Sequence, residues 1–294
     1  MKKRTEIVAE IGECFNGKMN TAYEMIEEAK KAGCDVVKFQ LLDMSEVAIN
    51  DPEYDWFASL ELDKRKIDQL VDYSSRIGID ILFTPVSVKT AEWMYELGIK
   101  NVKIASSFVN KIELLEYIRD HFEKFYVSTG MADIDEIVRV DSMLSDKDDV
   151  TILHCVSEYP TGPLLQQRGL KALNEEDAHL AMITILKNLF PYRRIGYSDH
   201  TDGVFVPILA VGMGAEVIEK HFTLDKRTPI EQYENQGTYM GTDHVLSVEP
   251  SDLKRMVRDI RRVETVKGDY NWKRSEGEMI LKDFLRGRYK GDRN

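Results

Sequence analysis

Short apolar runs alternate with amphipathic stretches along nearly the whole chain. The first run, 5–11 (TEIVAEI), is rich in β-branched residues and breaks at Gly12, which predicts a strand entering a loop. A helix follows, capped by Asn20 or Thr21, with Ala22, Ile26, Ala29 and Ala32 as its apolar stripe and Gly33 at its end. The same grammar then repeats. Strands are predicted at 34–41, 79–84, 102–105, 125–128 and 150–155, and helices at Lys64–Ile77, 89–97, 111–121, 133–144 and 176–189. Gly78 and Gly98 close two of these helices, and Pro85 stops a strand. Two long loops interrupt the pattern, an acidic one at 43–62 holding Trp56 and another at 156–175. Loops of that length in a compact domain are usually functional. The stretch 195–224 reads strand, helix, strand, with the helix over 204–214, and an amphipathic helix over 250–266 completes the series.

Eight predicted strands alternating with eight helices argue for an α/β fold with a parallel sheet, closed as a single-domain (β/α)₈ TIM barrel over residues 1–270. Residues 271–294 read as a charged tail, helical over 276–284.

Chemistry in such a barrel is carried at the carboxyl ends of the strands. Those ends supply Glu10, Lys38, Gln40, Thr84, Lys103, Ser106, Ser128, His154, Ser198, His200 and His221. His200 and His221 each stand just past a strand, and parallel neighbours bring such positions together. Two imidazoles there can hold a divalent metal with positions open to water or substrate. Two unrelated polar residues is the weaker reading for a matched pair. Lys38 and Lys103 lie inside apolar runs, where an unpaired ammonium costs several kcal/mol. For either lysine alone an ion pair, such as Glu10 with Lys38, is as good an explanation as a ligand. Together with the hydroxyls and the helix start after Ser128-Thr129-Gly130, they favour a phosphate or phosphate-plus-carboxylate site. His154 reads as a core histidine and His121 as solvated, while His179 and His244 have no partner visible in the sequence.

Composition narrows the partners. A net charge of −11 disfavours nucleic acid and anionic membrane, although a local lysine cluster still permits an anionic small substrate. Cys14, Cys34 and Cys155 form no CxxC pair, so reduced thiols are expected. The Met-Lys-Lys-Arg start lacks the apolar stretch of a signal peptide, and no run approaches the ~18 residues of a membrane span. A cytoplasmic location is the expectation.

Eight motifs in order resemble the sialic-acid synthase family, the NeuB-like enzymes. They are AEIG at 9–12, VVKFQ at 36–40, FTP at 83–85, KIAS at 103–106, STGM at 128–131, LHCVSEYPT at 153–161, GYSDHT at 196–201 and EKHFTLDK at 219–226. The resemblance runs from residue 5 to about residue 266. It implies a TIM barrel that condenses phosphoenolpyruvate with the open-chain aldehyde of an N-acylated sugar, of N-acetylmannosamine or diamino-deoxy type, giving a nonulosonic acid and phosphate. It implies a divalent metal on His200 and His221, typically Mn²⁺, with Mg²⁺ or Co²⁺ as alternatives. It implies phosphoenolpyruvate contacts at Lys38, Thr84, Lys103, Ser106, Ser128 and Ser198, sugar contacts at Gln40, Tyr159 and Asp243, and proton transfer or water orientation at Glu10; Ser157 stands where many members carry Asn or Ser and is expected to bind substrate. Other metal-dependent 2-keto-3-deoxy acid synthases or aldolases, and a non-catalytic barrel subunit, are the alternative readings.

Three departures bear on the sugar. Family members commonly carry Glu two residues after the KIxS serine, where this chain has Phe108. The segment 228–240 is longer than the usual link to the aspartate. Typical bacterial members continue into an antifreeze-like domain that supplies an arginine to the partner's sugar site, and 274–289 resembles the linker leading there. A separate cap-domain chain, a more open site, or a barrel–barrel homodimer is therefore expected.

Overall fold

The computed structural model describes residues 4–51, 54–158, 174–228, 242–268, 271 and 273–288. Among them are eight strands: β1 Glu6–Glu10, β2 Val36–Leu41, β3 Asp80–Pro85, β4 Asn101–Ile104, β5 Lys124–Ser128, β6 Asp149–Cys155, β7 Arg194–Asp199 and β8 Val217–His221. They pair in parallel in the order β3-β2-β1-β8-β7-β6-β5-β4. β3 and β4 lie side by side at the remaining seam, where the Asn101 side chain donates to the Ile81 carbonyl at 2.9 Å. The sheet thus rolls into the predicted barrel.

Period-two alternation decides what fills it. In β1, Val8 points to the axis and joins Val36, Leu82, Tyr126, Leu153 and Val217 in an apolar plug. Its neighbours Ile7 and Ala9 point outward into the larger core shared with the helices. The same alternation sends Glu10 inward, one pleat above Val8. The register sets Glu10 level with Lys38 on one side and His221 on the other. A polar layer therefore sits directly on the plug, at the carboxyl end of the strands.

The helices around the barrel are α1 Met19–Ala32, α2 Tyr54–Leu60, α3 Lys64–Ile77, α4 Val88–Glu96, α5 Ile112–His121, α6 Ile134–Met143, α7 Ala181–Leu189, α8 Phe205–Gly212, α9 Thr242–Leu246 and α10 Pro250–Lys267. α3 has its predicted bounds, with Asp63 accepting from the Lys66 amide at its start and Gly78 left-handed at its end. α1 buries the expected stripe but starts earlier, after Lys18, so neither Asn20 nor Thr21 caps it. The acidic segment 43–62 is not a plain loop. It contains a 3₁₀ turn, Met44–Glu46, and α2, which buries Trp56 and Leu60 one turn apart. In seven residues of which five are apolar, YDWFASL, no polar face marks a helical period. The helix expected over 176–189 is split, because Glu175–Ala178 forms a 3₁₀ turn and His179 takes a positive φ of 44°. That backbone state ends one helix and α7 begins afresh. In the tail, α11 spans Glu276–Gly287 and is capped by Ser275. Among the described residues no helix is long and apolar enough to cross a membrane.

Candidate active site

The carboxyl ends of the strands open into a cavity of about 340 Å³. Its floor is a charge cluster centred on Glu219. Oε1 of Glu219 accepts from Lys38 Nζ at 2.8 Å, Lys103 Nζ at 3.0 Å and Ser198 Oγ at 2.9 Å. Lys38 Nζ also lies 3.3 Å from Glu10 Oε2. No side chain among Glu10, Lys38, Lys103 and Glu219 is more than 5% exposed.

Burial sets their ionisation, and the neighbours then decide its sign. Burial opposes charge on Lys38, but Glu10 and Glu219 outweigh it and hold the ammonium above its ordinary range. For Lys103 burial prevails, with repulsion from Lys38 added, and its pKa is lowered despite Glu219. Burial would raise Glu219, yet the two lysines hold it well below the usual carboxylate range. Glu10 goes the other way: burial raises it, and Lys38 only partly offsets this because Glu219 and Asp243 repel. The two carboxylates are thus pushed in opposite directions, Glu219 toward the anion and Glu10 toward the neutral acid.

Around this floor stand hydroxyls aimed at the open space. Thr84 Oγ1 and Ser128 Oγ are buried and have no hydrogen-bond partner among the described residues. Orphaned buried hydroxyls cost stability and are natural handles for a ligand. Ser106 Oγ and Ser157 Oγ share a hydrogen bond at 2.8 Å. Ser157 presses on Gly130 so closely that a Cβ there would lie 2.1 Å from its Oγ, which explains why the turn after β5 needs glycine. Gln40 donates to Glu10 at 3.2 Å.

The two histidines meet at the rim, their ring centroids 5.2 Å apart. His200 Nδ1 bonds the Val156 carbonyl at 2.9 Å, so it carries the proton and Nε2 keeps the lone pair. Burial and the neighbouring His221 push the His200 pKa down to about 3, leaving a neutral ring. His221 Nδ1 lies 3.5 Å from Asp243 Oδ2. Among the described residues no three His, Cys, Asp or Glu side chains form a closed cage for an ion. The pair suits a cation held by two imidazoles, with the remaining positions left to water or substrate.

The turn that aims His200 is clamped from outside the barrel. Lys220, which alternates away from Glu219 and His221, pairs with Asp199 at 2.7 Å with both side chains fully buried. Asp199 also accepts from Tyr197 and from the amide and hydroxyl of Thr201, and Lys220 donates to the Thr201 carbonyl. On the β8 side the Val248 amide bonds the His221 carbonyl at 2.9 Å, which anchors α9 and sets Asp243 against the site. A Cβ on Gly12 would lie 2.4 Å from Asp243 Oδ2, so that approach also requires glycine.

The NeuB family model matches residues 25–271. The chain belongs to the NeuB family. It is similar to an uncharacterised protein of Methanocaldococcus jannaschii, 37% identical over 90% of this chain and 72% of that protein. An N,N'-diacetyllegionaminic acid synthase of Legionella pneumophila is 33% identical over 95% of this chain and 78% of its own length. Among solved structures, an N-acetylneuraminic acid synthetase of Leptospira borgpetersenii in complex with citrate superposes with a TM-score of 0.83 at 30% identity, covering 98% of this chain and 93% of that one.

In this NeuB-family barrel the predicted residues Glu10, Lys38, Gln40, Thr84, Lys103, Ser106, Ser128, Ser198, His200 and His221 all line one cavity. Ser157 and Asp243 reach it through Ser106 and His221. Tyr159 and nearly all of 228–240 lie outside the described residues. His154 is a core histidine as read, its Nε2 bonded to the Ala178 carbonyl at 2.8 Å. Two other readings need correction. His121 is not simply solvated, for it stacks on Tyr117 at 4.0 Å. His244 does have partners, the Thr223 hydroxyl at 2.7 Å and Asn16 Oδ1 at 2.9 Å. Glu219 is the residue that sequence reading missed. Its signal was present: a carboxylate inside an apolar strand, two positions before His221 and so on the same face. Of the two explanations of Lys38 the ion pair holds, with Glu10 and Glu219 as its partners, and these pairs form the floor of the cavity.

Proposed function

We propose that this NeuB-family protein condenses phosphoenolpyruvate with the open-chain aldehyde of an N-acylated amino sugar, releasing phosphate and a nonulosonic acid. The observation that carries the reading is the Glu219-centred cluster, a fully buried pair of ammonium groups facing open space beside two converging imidazoles. Residues 1–270 form the catalytic barrel in this reading, acting in the cytoplasm on small molecules.

Lys38 and Lys103 neutralise the phosphate and carboxylate of phosphoenolpyruvate. Thr84, Ser106, Ser128, Ser157 and Ser198 supply hydroxyl donors, which satisfies the two that are otherwise orphaned. Gln40, Tyr159 and Asp243 hold the sugar. A divalent ion, Mn²⁺ in the first instance, would sit on His200 and His221 and polarise the aldehyde oxygen as a Lewis acid. The enol carbon C3 attacks the aldehyde carbon, and the aldehyde oxygen takes up a proton. Water then adds to the cationic C2, with Glu10 accepting its proton, as its raised pKa suits. The tetrahedral carbon expels phosphate by C–O cleavage and becomes the ketone.

The test is phosphate release in ¹⁸O-labelled water, with phosphoenolpyruvate, a panel of N-acylated sugars and a divalent ion. Sugar-dependent release with the label in the C2 ketone is expected. No phosphate with any sugar, together with no bound metal, would instead favour a non-catalytic barrel.

A further inference from the structure

One ion pair joins the two strand ends that carry the histidines. Asp199 closes β7 and precedes His200, and Lys220 precedes His221 at the end of β8. The two stand opposite each other in the β7–β8 register. Their side chains meet at 2.7 Å, both fully buried. Ser198 and Glu219 face the axis, so strand alternation turns Asp199 and Lys220 into the shell, and neither lines the cavity. A ligand in the cavity therefore does not touch the pair.

Stability alone gives such a pair little purpose, because apolar side chains of similar size usually do as well or better. What the pair supplies is direction. Asp199 Oδ2 takes the Lys220 ammonium, and Oδ1 takes the Tyr197 hydroxyl at 2.8 Å, the Thr201 amide at 3.2 Å and the Thr201 hydroxyl at 2.8 Å. Lys220 also donates to the Thr201 carbonyl. The residues on both sides of His200 are thus tied to one ammonium on β8. Of Asp199, His200 and Thr201, only His200 lines the cavity. Lys220 is also the chain neighbour of His221, so the same ammonium helps to set the 5.2 Å separation of the two rings. Imidazoles fixed beforehand spare an incoming ion the cost of ordering them.

We infer that Asp199, Lys220 and Thr201 are positioning residues that preset the two imidazoles for a divalent ion. The affinity for the ion then depends on a network that the ion does not touch. The inference rests on the metal proposed above for His200 and His221 and adds what holds them ready.

The test is Mn²⁺ binding to the metal-stripped protein, read from the electron paramagnetic resonance signal of the free ion, which requires no turnover. Asp199→Asn with Lys220→Met removes both charges together, so no buried charge is stranded, and the amide oxygen still accepts from Tyr197 and Thr201. Its Kd should rise about 10- to 100-fold, the usual effect of losing a group behind a metal ligand. Urea unfolding checks that the variant is folded. Thr201→Val keeps the ion pair and the shape, so it decides the matter if the double variant does not fold; its Kd should rise about tenfold. Glu6→Gln removes a partner of Lys124 at the opposite end of the barrel and should leave the Kd unchanged. A Kd within about threefold of the parent's in the folded variants overturns the inference. An equal rise in Glu6→Gln does so too, since the effect would then be one of general stability. No Mn²⁺ bound by the parent protein overturns the metal reading and this inference with it.

Discussion

The two ends of the barrel carry clusters built from the same parts. At the amino end, the Glu6 carboxylate is held by Lys124 at 3.2 Å, by Arg194 at 3.5 Å and by the Tyr126 hydroxyl. At the carboxyl end, the Glu219 carboxylate is held by two lysines and the Ser198 hydroxyl. The surroundings differ. The cations at the amino end are 28% and 20% exposed, whereas those around Glu219 are 5% and 3% exposed. Water screens the first cluster, and the apolar plug beneath it leaves nothing for it to act on. The second is dry, carries one carboxylate and one lysine shifted toward neutrality, and faces a cavity. A buried carboxylate with two cations is therefore no mark of function by itself. What marks function is incomplete neutralisation next to space for a ligand.

The sharpest way to break this comparison is to remove one charge from each cluster. Glu219→Gln leaves two buried ammonium groups facing each other. Breaking such a network costs about 3–5 kcal/mol, and turnover should fall by about 1,000-fold or more as the lysines lose their positions. Urea unfolding and phosphate release measure the two effects. Retained turnover would mean that Glu219 is only a strut, like Glu6.

Replacing both histidines by alanine separates chemistry from stability on the same rim. His200→Ala with His221→Ala should abolish divalent-ion binding and lower turnover by about 1,000-fold. Both rings are buried, His200 bonded to the Val156 carbonyl and His221 beside Asp243, so each loss should also cost about 1–3 kcal/mol of stability, which urea unfolding measures apart from metal binding. Metal stoichiometry of the purified double variant decides the matter, because an ion retained there sits elsewhere.

Lys103→Ala tests whether the dry cluster is there for a ligand. Its ammonium is one of the two proposed contacts to phosphoenolpyruvate, and charge-assisted bonds in dry sites are strong. KM for phosphoenolpyruvate should rise about 100-fold while KM for the sugar moves by less than about threefold. Equal losses for both substrates would make Lys103 a structural partner of Glu219.

Much of this site was legible in the sequence because β-alternation is a strict rule. Knowing that Lys38, Lys103 and the two histidines follow apolar strands places them at one rim. Glu219 is the harder residue because EKH sets two charged residues side by side, and only counting back two from His221 tells which faces inward: Glu219 turns to the axis and Lys220 to the shell. α2 escaped for a different reason. Its turn is defined by Trp56 reaching Glu13, 43 residues away, at 3.3 Å. Contacts at that separation leave no local period. His179 shows a third limit, since a backbone state that breaks a helix has no hydrophobic signature.

Glu6→Gln is the mild counterpart at the amino end. Burial would raise the Glu6 pKa, but the Tyr126 hydroxyl, Lys124 and Arg194 together lower it below the ordinary carboxylate value. A carboxylate depressed in the folded state stabilises the fold above its unfolded pKa and loses that contribution as pH falls through the folded value. The variant should therefore be about 1 kcal/mol less stable than the parent at pH 7, the size expected of a partly exposed ion pair. The gap should close below about pH 4, where the parent side chain also becomes neutral. Turnover at pH 7 should be unchanged, because nothing in this cluster touches the cavity. Urea unfolding at both pH values measures the gap: one that persists undiminished at low pH would assign Glu6 a packing role in place of an electrostatic one. A loss of turnover would show that the apolar plug transmits strain from one end of the barrel to the other.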